Sequence, residues 1–128
     1  MKFIPTILEG CYSIESKLFF DDRGYFMESF NEKVFQEGIG KSVKFVQDNQ
    51  SFSTKGVLRG LHYQTGDYAQ AKLVRVLQGE VLDVAVDIRP DFTTYGQHVS
   101  ILLTGENNTH FFVPRGFAHG FLVLSETA

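Results

Sequence analysis

At 128 residues the chain is long enough for one domain with a substantial core and too short for two. Its 43% hydrophobic and 21% charged residues are those of an ordinary globular protein, and a net charge of −3 argues against a nucleic-acid binder, which needs a basic face. Cys11 is the single cysteine, so no internal disulfide forms and a reducing, cytoplasmic setting is expected; no apolar run approaches membrane length and the start carries no apolar leader.

Thirteen Phe and five Tyr without Trp favour strands, where aromatic and β-branched side chains fit a pleated surface. In chain order, strands are predicted over 2–4, 10–20, 25–30, 43–52, 57–64, 71–77, 79–88, 96–103, 109–113 and 118–124. Only 31–38 reads as helix, with Asn31 as its cap and Gly38 as its left-handed end. Residues 72–76 and 81–88 alternate, and Gln78-Gly79-Glu80 between them predicts a hairpin. The run Phe121-Leu122-Val123-Leu124-Ser125 has no strand after it to pair with. An unpaired apolar edge aggregates, so it should either pair with another subunit or belong to a longer fold. The expectation is one all-β domain over 1–128, a cupin-like jelly roll with one short helix.

The chemistry concentrates in Val57-Leu58-Arg59-Gly60-Leu61-His62-Tyr63-Gln64, with Lys72 eight residues further on. Unpaired charge is costly inside a strand, so two cations and an imidazole in one β-rich core suggest a pocket that uses them. Histidine titrates near neutrality, which makes His62 a candidate general base. The alternative is a core histidine satisfied by its neighbours. Lys72 either stabilises a developing oxyanion from the interior or lies on an edge strand with its ammonium in water. Arg59 and Arg23 suit phosphate, because the guanidinium fork matches phosphate oxygens; a solvated turn explains Arg23 as well. Gln47-Asp48-Asn49-Gln50-Ser51 offers amides for a nucleobase edge, or a capped turn. His98 and His110 are read as surface or strand histidines, and Cys11 as a small strand residue.

Pro114-Arg115-Gly116-Phe117-Ala118-His119 matches P-x-G-x-x-H, the second half-motif of cupins. Metal-binding cupins add an H-x-H, but here His62 is followed by Tyr63-Gln64. A metal centre needs about three convergent ligands, so no metal is expected.

Taken together, Phe20-x-Asp22-Arg23-Gly24-x-Phe26-x-Glu28, Gln47-x-Asn49-x-Ser51, the 56–64 block, Gln70-x-Lys72-Leu73-Val74, Asp83-x-x-x-Asp87 and Pro114-x-Gly116-Phe117-x-His119-Gly120-Phe121 resemble the dTDP-4-dehydrorhamnose 3,5-epimerases along the whole chain. The resemblance implies a cofactor-free, homodimeric jelly roll with strands exchanged across the interface. It implies a dTDP-linked keto-deoxy-sugar, dTDP-4-dehydro-6-deoxy-glucose, epimerised at C3 and C5 on the way to dTDP-L-rhamnose. By the same resemblance His62 is the base and Lys72 stabilises the enolate oxygen. Arg23, Arg59 and His119 contact diphosphate and sugar, and Glu28, Gln47 and Asn49 lie toward the thymine. Arg23 and Glu28 are placed to serve the neighbouring subunit. In that family the acid is a tyrosine a few residues past position 128, with an aspartate that orients the base further on. The expectation is therefore a C-terminally shortened member with weak or no epimerase activity. The alternatives are a single-site epimerase or 3,4-ketoisomerase of dTDP-keto-sugars, and a non-catalytic nucleotide-sugar-binding jelly roll.

Overall fold

The computed structural model describes all residues from Met1 to Ala128. Ten strands and one α-helix run in the order β1 (Lys2–Pro5), β2 (Tyr12–Glu15), β3 (Leu18–Asp21), β4 (Gly24–Met27), α1 (Glu32–Ile39), β5 (Leu58–His62), β6 (Lys72–Arg75), β7 (Glu80–Asp87), β8 (His98–Thr104), β9 (Thr109–Val113) and β10 (Phe117–Val123). Two four-stranded antiparallel sheets form, β1-β2-β9-β6 and β5-β10-β7-β8, while β3 and β4 pair only with each other. This is the double sheet of the expected jelly roll.

Alternation along the strands builds the core. Val81, Ala85, Phe117 and Val123 of one sheet pack against Phe111 and Val113 of the other, with Val74, Ile101 and Phe121 at the margins. The opposite face of the first sheet carries Ile14, Phe112 and Leu73, and α1 covers it with Phe35 and Ile39. Phe35 meets Phe3, Phe30, Phe45 and Phe112 with ring centroids 5.1–6.1 Å apart. Aromatic burial of this kind holds the short helix in place more than its own propensity does.

Several expectations are corrected. The Gln78-Gly79-Glu80 link is not a hairpin: β6 pairs with β9, whereas β7 pairs with β10 and β8. The chain crosses from one sheet to the other here, because Val74 and Val81 must both face the space between the sheets. Residues 10–20 split into β2 and β3, and 43–52 forms no strand. Within its polar block Gln47 donates to the Asn49 side chain, and no backbone ladder forms. The helix ends at Gly40, left-handed at φ 68°, not at Gly38. A Cβ on Gly38 would lie 2.2 Å from the Phe3 ring, so this glycine serves close packing within the helix. Asn31 caps the N-terminus as expected, accepting from the Val34 amide at 3.2 Å. The terminal run is not unpaired: β10 sits between β5 and β7, a central position in its sheet.

Candidate active site

β10 positions the site. Phe117, His119, Phe121 and Val123 alternate toward the space between the sheets, so the histidine of P-x-G-x-x-H enters among core residues and is only 7% exposed. His62 on β5 lies directly opposite His119, and Arg59 lies opposite Phe121. Arg59 and His62 are three residues apart, a spacing that puts side chains on opposite faces of a regular strand. Here three residues of β5 match two of β10, and this bulge brings both side chains to the face that carries His119 and Phe121, where both are exposed. Gly60 makes the bulge possible, with φ at 123° and its Cα against Gly120; a Cβ there would fall 2.7 Å from the Gly120 Cα.

Lys72 comes from the other sheet. It opens edge strand β6 opposite Val113, whose side chain is in the core, so the register turns Lys72 inward and half-buries it. Lys72 thus combines an inward register with the edge-strand position of the alternative reading. Arg59 Nε donates to Ser53 Oγ at 3.1 Å, which ties β5 to the segment before it.

One residue in the site has no assigned role in the sequence reading. Asp83 on β7 is fully buried, and its Oδ1 is 2.6 Å from His119 Nε2. Burial raises its carboxyl above the ordinary range, opposed by the His119 hydrogen bond and the nearby Lys72 ammonium. Its other oxygen, Oδ2, is buried without a partner. The signal was present in the sequence: Asp83 occupies an inward position of the alternating run Val81–Asp87, where an aliphatic residue is the norm.

The remaining expected residues are elsewhere in the single chain. Arg23 lies at the tip of the β3–β4 hairpin, ion-paired with Asp21 at 2.5 Å and exposed. Glu28 accepts from Asn31 Nδ2 at 3.2 Å, and Gln47 donates to Asn49 Oδ1 at 3.0 Å, all on the surface. No group of three or more His, Cys, Asp or Glu is arranged as a metal cluster. His110 is a strand histidine, on β9, and only 2% exposed; burial, helped by Arg75, lowers it to about 4. Cys11 is buried and its thiol pushed up to about 12 by desolvation, which makes it inert.

Residues 5–128 match the family model described as dTDP-4-dehydrorhamnose 3,5-epimerase. The chain belongs to this family. A Shigella flexneri dTDP-4-dehydrorhamnose 3,5-epimerase is 57% identical over 128 residues, which is all of this chain and 71% of that protein. The crystal structure of the Elizabethkingia anophelis epimerase superposes with a TM-score of 0.95 at 57% identity, covering 99% of this chain and 69% of the other. The Legionella pneumophila dTDP-6-deoxy-D-glucose-3,5-epimerase, crystallised with dTDP-4-keto-L-rhamnose, gives 0.94 at 53% identity, covering 98% and 66%. The residues brought together by β5, β6, β7 and β10 thus stand on an epimerase scaffold.

Proposed function

We propose that the chain epimerises dTDP-4-dehydro-6-deoxy-glucose at the carbons flanking its C4 ketone. The observation that carries this reading is the register that sets His62 opposite His119 on one sheet and Lys72 opposite Val113 on the facing sheet. A proton on a carbon next to a ketone can be removed only if the resulting charge is stabilised. The His62 imidazole takes the proton, the C–H electron pair enters the ring bond, and the ketone oxygen becomes an enolate beside the Lys72 ammonium. Return of a proton from solvent water to the opposite face, with the enolate electron pair forming the new C–H bond, restores the ketone with inverted configuration. Arg59 and His119 engage diphosphate and sugar, and Gln47 and Asn49 face the thymine. The reaction runs in D2O as its own test: label at both C3 and C5 supports double epimerisation, whereas label at C3 alone makes the enzyme a single-site epimerase. His62→Ala should abolish exchange at both carbons.

The functional unit in this reading is a homodimer. The β3–β4 hairpin joins neither sheet, yet exposes Phe19, Phe20, Tyr25 and Phe26 at 52–74%. An apolar ribbon of this kind in water marks an interface. Exchange of the hairpin with a second copy buries those rings and delivers Arg23 and Glu28 to the neighbour's site. Light scattering should give twice the chain mass of 14.5 kDa. Phe20→Ser with Phe26→Ser should return it to the monomer and weaken dTDP binding; an unchanged mass would refute the exchange.

A further inference from the structure

The Asp83 carboxylate is an expensive feature of this barrel. It sits at 0% exposure beside Ala85, Val81 and Phe121, with one oxygen committed to His119 and the other uncommitted. A buried acid with an unsatisfied oxygen destabilises a fold. An apolar residue, or a neutral amide, would serve the core better. Its position is also particular. His119 lies opposite Ala85 and Phe121 lies opposite Asp83, so the carboxylate meets the imidazole diagonally on the interior face. Lys72, on the facing sheet, is close enough for its charge to act on this carboxylate.

We propose that Asp83 is the positioning residue of the site: it receives the Nε2 proton of His119, turns the ring's Nδ1 toward the cavity, and sets a fixed negative charge between His119 and Lys72. The inference rests on the nucleotide-sugar reading above and deepens it. A histidine that is to meet a nucleotide sugar must present one ring nitrogen in a fixed direction. With Nε2–H committed to the buried Oδ1, Nδ1 is that nitrogen, and the ring cannot turn without breaking the bond. Without the carboxylate, the ring can rotate or exchange its two nitrogens. The same charge restrains the Lys72 stem, which otherwise has the rotamer freedom of an edge-strand lysine. The uncommitted Oδ2 follows from this role, since a group placed between an imidazole N–H and an ammonium need not satisfy both oxygens with neutral donors.

Asp83→Asn separates this role from a merely structural one, because the two predict opposite signs. The amide keeps the size and shape but removes the buried charge. A positioning role predicts a melting temperature equal to or above the parent's, together with at least a tenfold loss of dTDP affinity by calorimetry. The effect on affinity should not add to that of His119→Ala, because both substitutions disable one unit. A structural role predicts a lower melting temperature and unchanged affinity. A second readout needs no ligand: the imidazole 15N shifts of His119, assigned by their disappearance in His119→Ala, report which ring nitrogen carries the proton. They should show Nε2–H in the parent and a changed proton distribution in Asp83→Asn. Identical shifts in the two proteins, or parent-like dTDP affinity in the variant, overturn the proposal. If the parent itself binds no dTDP, the substrate reading has failed, and the ring-nitrogen measurement still decides the part played by Asp83.

Discussion

Gly120→Ala tests how the backbone of β10 places the site. Gly120 has an ordinary backbone conformation, so the added methyl introduces no torsional strain; its only effect is steric. The new Cβ would lie 2.6 Å from the Arg59 carbonyl oxygen and 3.1 Å from the Gly60 Cα. Both are backbone atoms and cannot swing aside, so β5 must move away from β10. Overpacking of this order costs about 1–3 kcal/mol. At about 4 °C per kcal/mol for a chain of this size, the melting temperature should fall by about 4–12 °C. Arg59 and His62 move with β5, and the loss of a charge-assisted contact worth about 1.5–3 kcal/mol should weaken dTDP binding by about 10- to 100-fold. Thermal melts followed by circular dichroism and a dTDP titration measure both effects. A melting temperature within 2 °C of the parent (about 0.5 kcal/mol) with unchanged affinity would refute the claim that the Gly60–Gly120 contact sets the register of the site.

Two further outcomes concern the rest of the barrel. Asp87 is fully buried; burial alone would raise its carboxyl, but hydrogen bonds from Arg89 at 2.9 and 2.7 Å and from Thr94 at 2.5 Å hold it at about 2. Asp87→Ala strands the Arg89 guanidinium, only 16% exposed, and should cost about 3 kcal/mol in urea unfolding; a cost below about 1 kcal/mol would show that Arg89 finds solvent. His110 is lowered from 6.5 to about 4, so its neutral form is favoured in the folded state. Its contribution is complete above pH 6.5 and is lost as pH falls toward about 4, up to about 3 kcal/mol. His110→Asn should flatten the dependence of melting temperature on pH across that window. An unchanged slope would assign the acid sensitivity to other groups.

How far the sequence carried the structure depends on which residues are asked. The Asn31 cap, P-x-G-x-x-H and most strand periods are local and appear where their patterns placed them, 43–52 and the undivided 10–20 excepted. The link at 78–80 was misread because a glycine turn between two alternating runs looks the same whether the second strand folds back or crosses to the facing sheet. Inward placement of Lys72 depends on pairing with Val113, forty-one positions away in sequence, which no local pattern records. The joint orientation of Arg59 and His62 is similarly invisible, since it comes from a bulge against a strand some sixty residues on. His110 lies on a strand, one of its two expected settings, but its near-complete burial comes from tertiary packing, of which its own strand gives no warning. Asp83 was legible as a charge in a buried run, but its partner His119 was not.

The crossing of the chain at Gly79 has a consequence for how this site comes into being. Lys72 is on one side of it and Asp83 on the other, with His119 thirty-six residues beyond Asp83. Arg59, His62 and Lys72 are near neighbours in sequence, but Lys72 belongs to one sheet and the rest of the pocket to the other, so neither sheet alone assembles it. Closing such distant contacts is the slow, entropically demanding part of folding. Binding of a nucleotide sugar therefore reports on the docking of the two sheets as a whole. A remote substitution that loosens their packing should register as lost affinity before it registers as unfolding.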